Sequence, residues 1–267
     1  MSMNRLFSLA LMGARVVLLA FIVALIIRVL SFIPLSMAYE DVEWSDLYQI
    51  EFYSHIYNDT IPGFVGSALW VTLKLVLIAW ALSIGLAIMF VFLKSRYERL
   101  SFLWDTVLTV SDIHVFGLFV IIQNITSFRV PYILLVVILT LGSGSLKEMV
   151  LSFHSVYKDV VRKEYWRFMY SQGIHPVRIG FAELLVRFTE LSFTKLPILL
   201  IGSILVEAAS NTLGLGYYLL DVLRSLENNR VDLNILTGIS FTLILLVLLS
   251  QKIAEYVRVT FDPQLQL

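Results

Sequence analysis

At 267 residues, 58% hydrophobic and 15% charged, the chain is too apolar for a soluble core of its size, and a mean hydropathy of +0.84 points to a polytopic membrane protein. The absence of cysteine excludes disulfide, thiolate and cysteine-metal chemistry. The four histidines, His55, His114, His154 and His175, are too scattered in sequence to form a recognisable metal site, and no cofactor is implied.

Residues 1–15 carry Arg5 and Arg15 and precede a first apolar run from Val16 to about Pro34, long enough to cross about 30 Å of hydrocarbon. It lacks a small-residue cleavage pattern and reads as a retained anchor. Arg28, near its far end, reads as a side chain snorkelling to the interface rather than a functional charge. From Leu35 to Gly63 the chain is acidic and aromatic, with no Lys or Arg, as expected of an outer segment. A second span lies within Phe64–Leu93 and exceeds a perpendicular crossing, so it tilts or begins in the interface. Lys94, Arg96 and Arg99 then mark an inner loop.

The third span, about Phe102–Ile122, is the least apolar. Its Asp112 and His114 should face protein or water, either along a translocation path or in polar packing between helices. Span four, from about Val130 to Leu146, is expected to continue directly into an amphipathic segment, Lys147–Asp159. Within it, Gly142-Ser143-Gly144-Ser145 reads as small residues easing helix packing, since no partnered base makes either serine a nucleophile.

The polar stretch from Val161 to Arg187 stands out between two apolar blocks. Val161, Tyr165, Phe168 and Met169 recur at i, i+4, i+7 and i+8, one face of a short helix. Gly173 stands where a helix ends in a left-handed residue, and Pro176 where the next begins. The pattern predicts helix, sharp turn, helix: a polar knuckle suited to being held by a partner. Span five, about Leu191–Val206, carries Lys195 and is broken at Pro197. After Glu207 and Asn211, Gly214 and Gly216 permit a tight turn into a short surface helix, Tyr217–Leu226. Span six, about Leu233–Leu249, leads to Lys252, Arg258 and the tail.

Charge orients these six spans. Outer segments hold only Arg129, Arg224 and Arg230, while Arg28, Lys74, Lys147 and Lys195 fall within spans. Every other base, from Arg5 to Arg258, lies on the N-terminal side, which places both termini inside. No phosphate-cradling Gly-rich loop ending in Lys-Ser or Lys-Thr is present, so any ATP would have to be bound by another polypeptide.

The run from Leu141 to Arg187, with Tyr165, Arg167 and Gly173-Ile174 before a second amphipathic helix, resembles the cytoplasmic EAA loop of permeases in ATP-binding-cassette (ABC) importers. IGSILVEAASNTLGLGYYLLDVL and the terminal FDPQLQL look like the dipeptide, oligopeptide and nickel branch of that family. The resemblance extends from Gly63 to the C-terminus and is most specific over Tyr165–Gly173 and Val206–Gly216. It implies an all-α, type I importer permease fold with six transmembrane helices: residues 1–62 as an added helix and outer segment, residues 63–267 as a five-helix core with a coupling loop over about 154–187.

By that resemblance Glu164, Tyr165, Arg167, Phe168, Tyr170, Gly173 and Ile174 would couple to an ATPase. Asp112, His114, Glu207, Asn211, Gly214 and Gly216 would serve the solute path or outer gate. The implied partners are two ABC ATPase subunits, a sister permease and an extracytoplasmic solute-binding protein, in a bacterial inner membrane, with no nucleic acid. Phe168-Met169-Tyr170-Ser171-Gln172 replace the small residues usual before the loop glycine, which implies a dedicated ATPase. Two other classes stay open: an ion-coupled carrier or channel using Lys74, Asp112 and His114, and a membrane enzyme.

Overall fold

The computed structural model describes residues 3–38, 53–54, 59–97, 115–123, 130–164, 168, 171–173, 177–225 and 233–261. These residues are helical apart from turns and one antiparallel bridge pair, β1 (Tyr53–Ser54) with β2 (Asp59–Thr60), in the register Tyr53 to Thr60. The helices are α1 (Met3–Ala38), α2 (Ile61–Arg96), α3 (Tyr132–Gly142), α4 (Ser145–Arg162), α5 (Val177–Thr194), α6 (Leu196–Ser210), α7 (Leu215–Ser225) and α8 (Leu233–Phe261), with further helical residues at 115–123.

Three segments are long and apolar enough to cross a membrane: Met12–Phe32, Ile61–Lys94 and Leu233–Thr260. Two helix pairs, α3 with α4 and the end of α5 with α6, reach that standard only as bent units, which gives up to five crossings among the described residues. This is consistent with a polytopic helical membrane protein. Most of the third predicted span lies outside the described residues.

The chain divides into two compact units, each described by itself. The first comprises Met1–Lys74 and Ile204–Leu249, and so takes in residues from both sides of the predicted 62/63 boundary. Its core joins the start of α2 (Ile61, Phe64, Val65, Ala68), α7 (Leu215, Val222) and α8 (Ile235, Leu236, Ile239). Phe64 meets Tyr218 edge-on at 4.3 Å between centroids, which adds directional packing to the area buried.

Arg28 corrects the snorkelling expectation. The residue is 2% exposed, and its guanidinium donates to Asn234 Oδ1 at 2.7 Å and Thr237 Oγ1 at 3.3 Å on α8. A guanidinium this deep is tolerable only with fixed acceptors, and α8 supplies two of them where the expectation had headgroups and water.

The second unit comprises Leu75–Ser203 and Ser250–Leu267 and holds the first bent pair and the break of the second, whose last residues, from Ile204, belong to the first unit. The first bend corrects the expectation that span four continues straight into its amphipathic extension. α3 stops at Gly142, and α4 starts 53° off axis. Gly144, with φ 73°, is left-handed and cannot continue an α-helix. Gly142 has a different use, because a Cβ there would come within 2.6 Å of the Phe116 ring.

Beyond the bend, Leu146, Met149, Val150, Phe153 and Val160 give α4 one buried face. Phe153 stacks on Phe188 of α5 at 4.2 Å, with the rings 9° from parallel. The second bend, 42°, falls at Lys195, as the position of Pro197 predicts: proline has no N–H to give the carbonyl four residues back. The two bends are tied together by an ion pair, Lys195 Nζ to Glu148 Oε2 at 2.6 Å.

If Arg28 is held by α8, Asn234→Leu should cost about 1–3 kcal/mol by leaving a buried donor without its nearest acceptor. Thermal unfolding in detergent checks this. An unchanged melting temperature would restore the interface-facing arginine.

Candidate functional site

The residues flagged around span five come together in the first unit. α6 ends in a Schellman turn: Asn211, at φ 53°, is the left-handed residue, and the N–H of Thr212 donates to the Glu207 carbonyl at 3.1 Å. Asparagine is the side chain that, after glycine, enters this region most readily. The chain then turns tightly, with the Gly214 N–H on the Thr212 carbonyl at 2.6 Å. It enters α7 when the Tyr218 N–H bonds the Gly214 carbonyl at 3.2 Å.

The first N–H groups of any helix lack partners within it. In α7 two of them are met by side chains. Leu215 N–H donates to Thr72 Oγ1 on α2 at 2.9 Å, and Gly216 N–H donates to Glu207 Oε2 at 2.9 Å. The Thr72 hydroxyl in turn reaches Glu207 Oε2 at 3.0 Å and the Ala68 carbonyl at 3.2 Å. With one proton to give, it serves as donor to one of these at a time while accepting from Leu215.

Glu207 is 0% exposed, and its Oε1 has no hydrogen-bond partner among the described residues. The carboxyl therefore caps α7 from a neighbouring helix, where the helix dipole favours negative charge.

Both glycines are needed for that approach. A Cβ on Gly214 would overlap the Glu207 carboxyl, and a Cβ on Gly216 would overlap the backbone of Ile204. Of the predicted gate residues, Glu207, Asn211, Gly214 and Gly216 thus form one assembly. Asp112 and His114 lie outside the described residues. Thr72 and Leu215 complete the assembly and were not singled out by sequence. A threonine in an apolar run, or a leucine between two glycines, carries no distinguishing signal.

Of the predicted coupling residues, Glu164, Phe168 and Gly173 are described and fall in the second unit. Helix α4 ends at Arg162, and Lys163 is extended (φ −63°, ψ 143°), with helical backbone again at Glu164. This corrects the predicted short helix beginning at Val161: Val161 belongs to the last turn of α4, ahead of the break. Glu164 is exposed, and Phe168 is 65% exposed. Phe168 accepts at its carbonyl from Gln172 N–H at 3.2 Å and Ser171 Oγ at 2.6 Å, a helical turn closed by exposed Gly173 at φ +70°. That left-handed glycine is where the sequence predicts it. Tyr165, Arg167, Tyr170 and Ile174 lie outside the described residues.

Among the residues of the ion-path alternative, Lys74 is exposed on α2, with its ammonium 5.9 Å from the Trp70 ring centroid.

The overlap at Gly214 can be tested as a cycle. Gly214→Ala should destabilise by about 1–3 kcal/mol through overpacking, and in an Glu207→Ala background most of that loss should disappear, because the added methyl then occupies vacated space. Chemical unfolding of the four proteins measures the coupling. Strict additivity would mean that glycine and carboxyl do not meet. Comparison of the chain with protein-family models, and with curated proteins, finds no match.

Proposed function

We propose that the chain is a transmembrane permease subunit of an ATP-driven ABC importer for peptides or related small solutes, metal chelates included. It works with two ATPase subunits, a sister permease and an external solute-binding protein in a bacterial inner membrane. In this reading ATP is hydrolysed by the partner subunits, and both termini are cytoplasmic.

The observation that carries the reading is the exposed turn at Gly173. Its φ of +70° is a left-handed stop after a helical turn on which Phe168 is exposed, between the helical pair α3–α4 and the helix α5 in the chain. An exposed phenylalanine on a polar turn is what a groove on another protein would take up. Packing on either side supports a mechanical role. The helices on either side of the turn in sequence, α4 and α5, are joined by the Phe153–Phe188 stack, and the two bends by the Lys195–Glu148 pair. Elements with discrete bends and few tethers have two packings available, as an alternating-access cycle requires.

At the other end of α6, the Glu207 assembly would hold the outer side until the helices shift. The ion-path alternative gains no support from Lys74, whose neighbour is an exposed indole and not a second titratable group among the described residues.

Gly173→Val tests the reading. A β-branched residue at this φ costs about 1–3 kcal/mol, so co-purification of the ATPases and solute uptake should both fall by about tenfold or more while the protein still inserts. Normal uptake at normal expression would remove the coupling assignment.

A further inference from the structure

Helix α2 has 36 residues and is about 54 Å long at 1.5 Å per residue, whereas hydrocarbon is about 30 Å thick. Composition alone leaves open which part lies in the apolar layer, because the whole of Ile61–Lys94 passes as a span. The exposed side chains decide it. Trp70, 62% exposed, and Lys74, also exposed, sit one turn apart on the same face. Below them the exposed residues Leu77, Ile78, Leu82 and Met89 are all apolar, down to Lys94.

Tryptophan and lysine share a preference for the boundary between headgroups and acyl chains, the indole for its amphipathic ring and the ammonium for its long stem. Among the described residues Lys74 makes no hydrogen bond or ion pair, and its one contact of this kind is the Trp70 ring at 5.9 Å. That leaves ammonium protons that none of the described residues meets. The uncharged stretch below, residues 75–93, is about 28 Å long, the thickness of the layer it would have to cross.

We propose that Trp70 and Lys74 form a headgroup station, at which the indole lies at the acyl boundary and the Lys74 ammonium binds the phosphate of an anionic phospholipid. Charge complementarity and the matching apolar length below commit the face to lipid. The station also sets a depth for the candidate site. Thr72 stands between Trp70 and Lys74 on the same helix, so the Glu207 carboxyl that it touches lies at headgroup level and not in mid-bilayer. The exposed Leu223 and Arg224 on α7, with Leu215 and Val222 buried beneath, suit a helix lying in that zone.

The cysteine-free chain is a ready template for the test. Single cysteines at the surface positions Trp70, Ile78, Leu82 and Met89 of the full-length protein are nitroxide-labelled in phosphatidylglycerol/phosphatidylcholine vesicles, and accessibility to oxygen and to a nickel chelate gives depth. The expected profile is chelate access at Trp70 and maximal depth between Leu82 and Met89. A maximum at Ile78, near the midpoint of Ile61–Lys94, overturns the proposal, and so does spin-spin broadening at Leu82, which would place a second copy on this face.

With Trp70 intact, Lys74→Gln is compared with the parent protein by native mass spectrometry under competition between the two lipids. The preference for phosphatidylglycerol should fall about fivefold. An unchanged preference overturns the phosphate assignment.

Discussion

A carboxyl group buried against the open end of a helix organises the first unit. Glu207 reaches across from α6 to the Gly216 N–H and the Thr72 hydroxyl, and so ties three helices at one point. Leaving a carboxyl at 0% exposure is costly unless its oxygens are met, and here Oε2 is met twice while Oε1 has no partner among the described residues. The partners found here are those that would otherwise be unmet themselves: a first-turn amide of α7 and a hydroxyl inside an apolar helix. The glycines follow from the same constraint, since each lets backbone come closer to its neighbour than any Cβ allows. The burial of Leu215 beside Phe64, Val65 and Ile239 then completes the core that this geometry permits.

The second unit is governed by interruptions of helices. Gly144 and the Lys195–Pro197 break each turn a helix that would otherwise run straight, and each has a specific backbone cause: a left-handed residue in one case, a missing donor in the other. The ion pair between Lys195 and Glu148 connects the two breaks. It is partly exposed, so its contribution lies more in fixing an angle than in stability.

Features written in local backbone chemistry were legible in the sequence. The left-handed Gly173, the break at Pro197, the amphipathic α4 and a short helix following Gly214, which begins at Leu215 rather than at Tyr217, all follow from one or two residues and their immediate period. What depended on distant partners was not legible. Arg28 looks like a residue bound for the interface until α8 brings Asn234 and Thr237 beside it. Thr72 is one polar atom in an apolar run until α7 arrives. In the sequence Gly144 looks like a packing residue in an uninterrupted span, yet its φ of 73° bends the chain. The helix expected from Val161 failed for a related reason: periodicity carried the apolar face across Lys163, where the backbone is extended. Of the candidate site, the two glycines, Asn211 and Glu207 were identified singly, but their relation, a glycine beneath a carboxyl beneath a helix end, required coordinates.

That relation has a direct readout in backbone amide exchange. First-turn amides ordinarily exchange quickly, because nothing within the helix accepts from them. If Glu207 and Thr72 cap α7 as described, the Leu215 and Gly216 amides in the intact protein should exchange slowly, and Glu207→Ala should accelerate Gly216 strongly while leaving the middle of α7 protected. Fast exchange at both amides in the parent protein, or a variant indistinguishable from it, would contradict the cap and the arrangement of helices built on it.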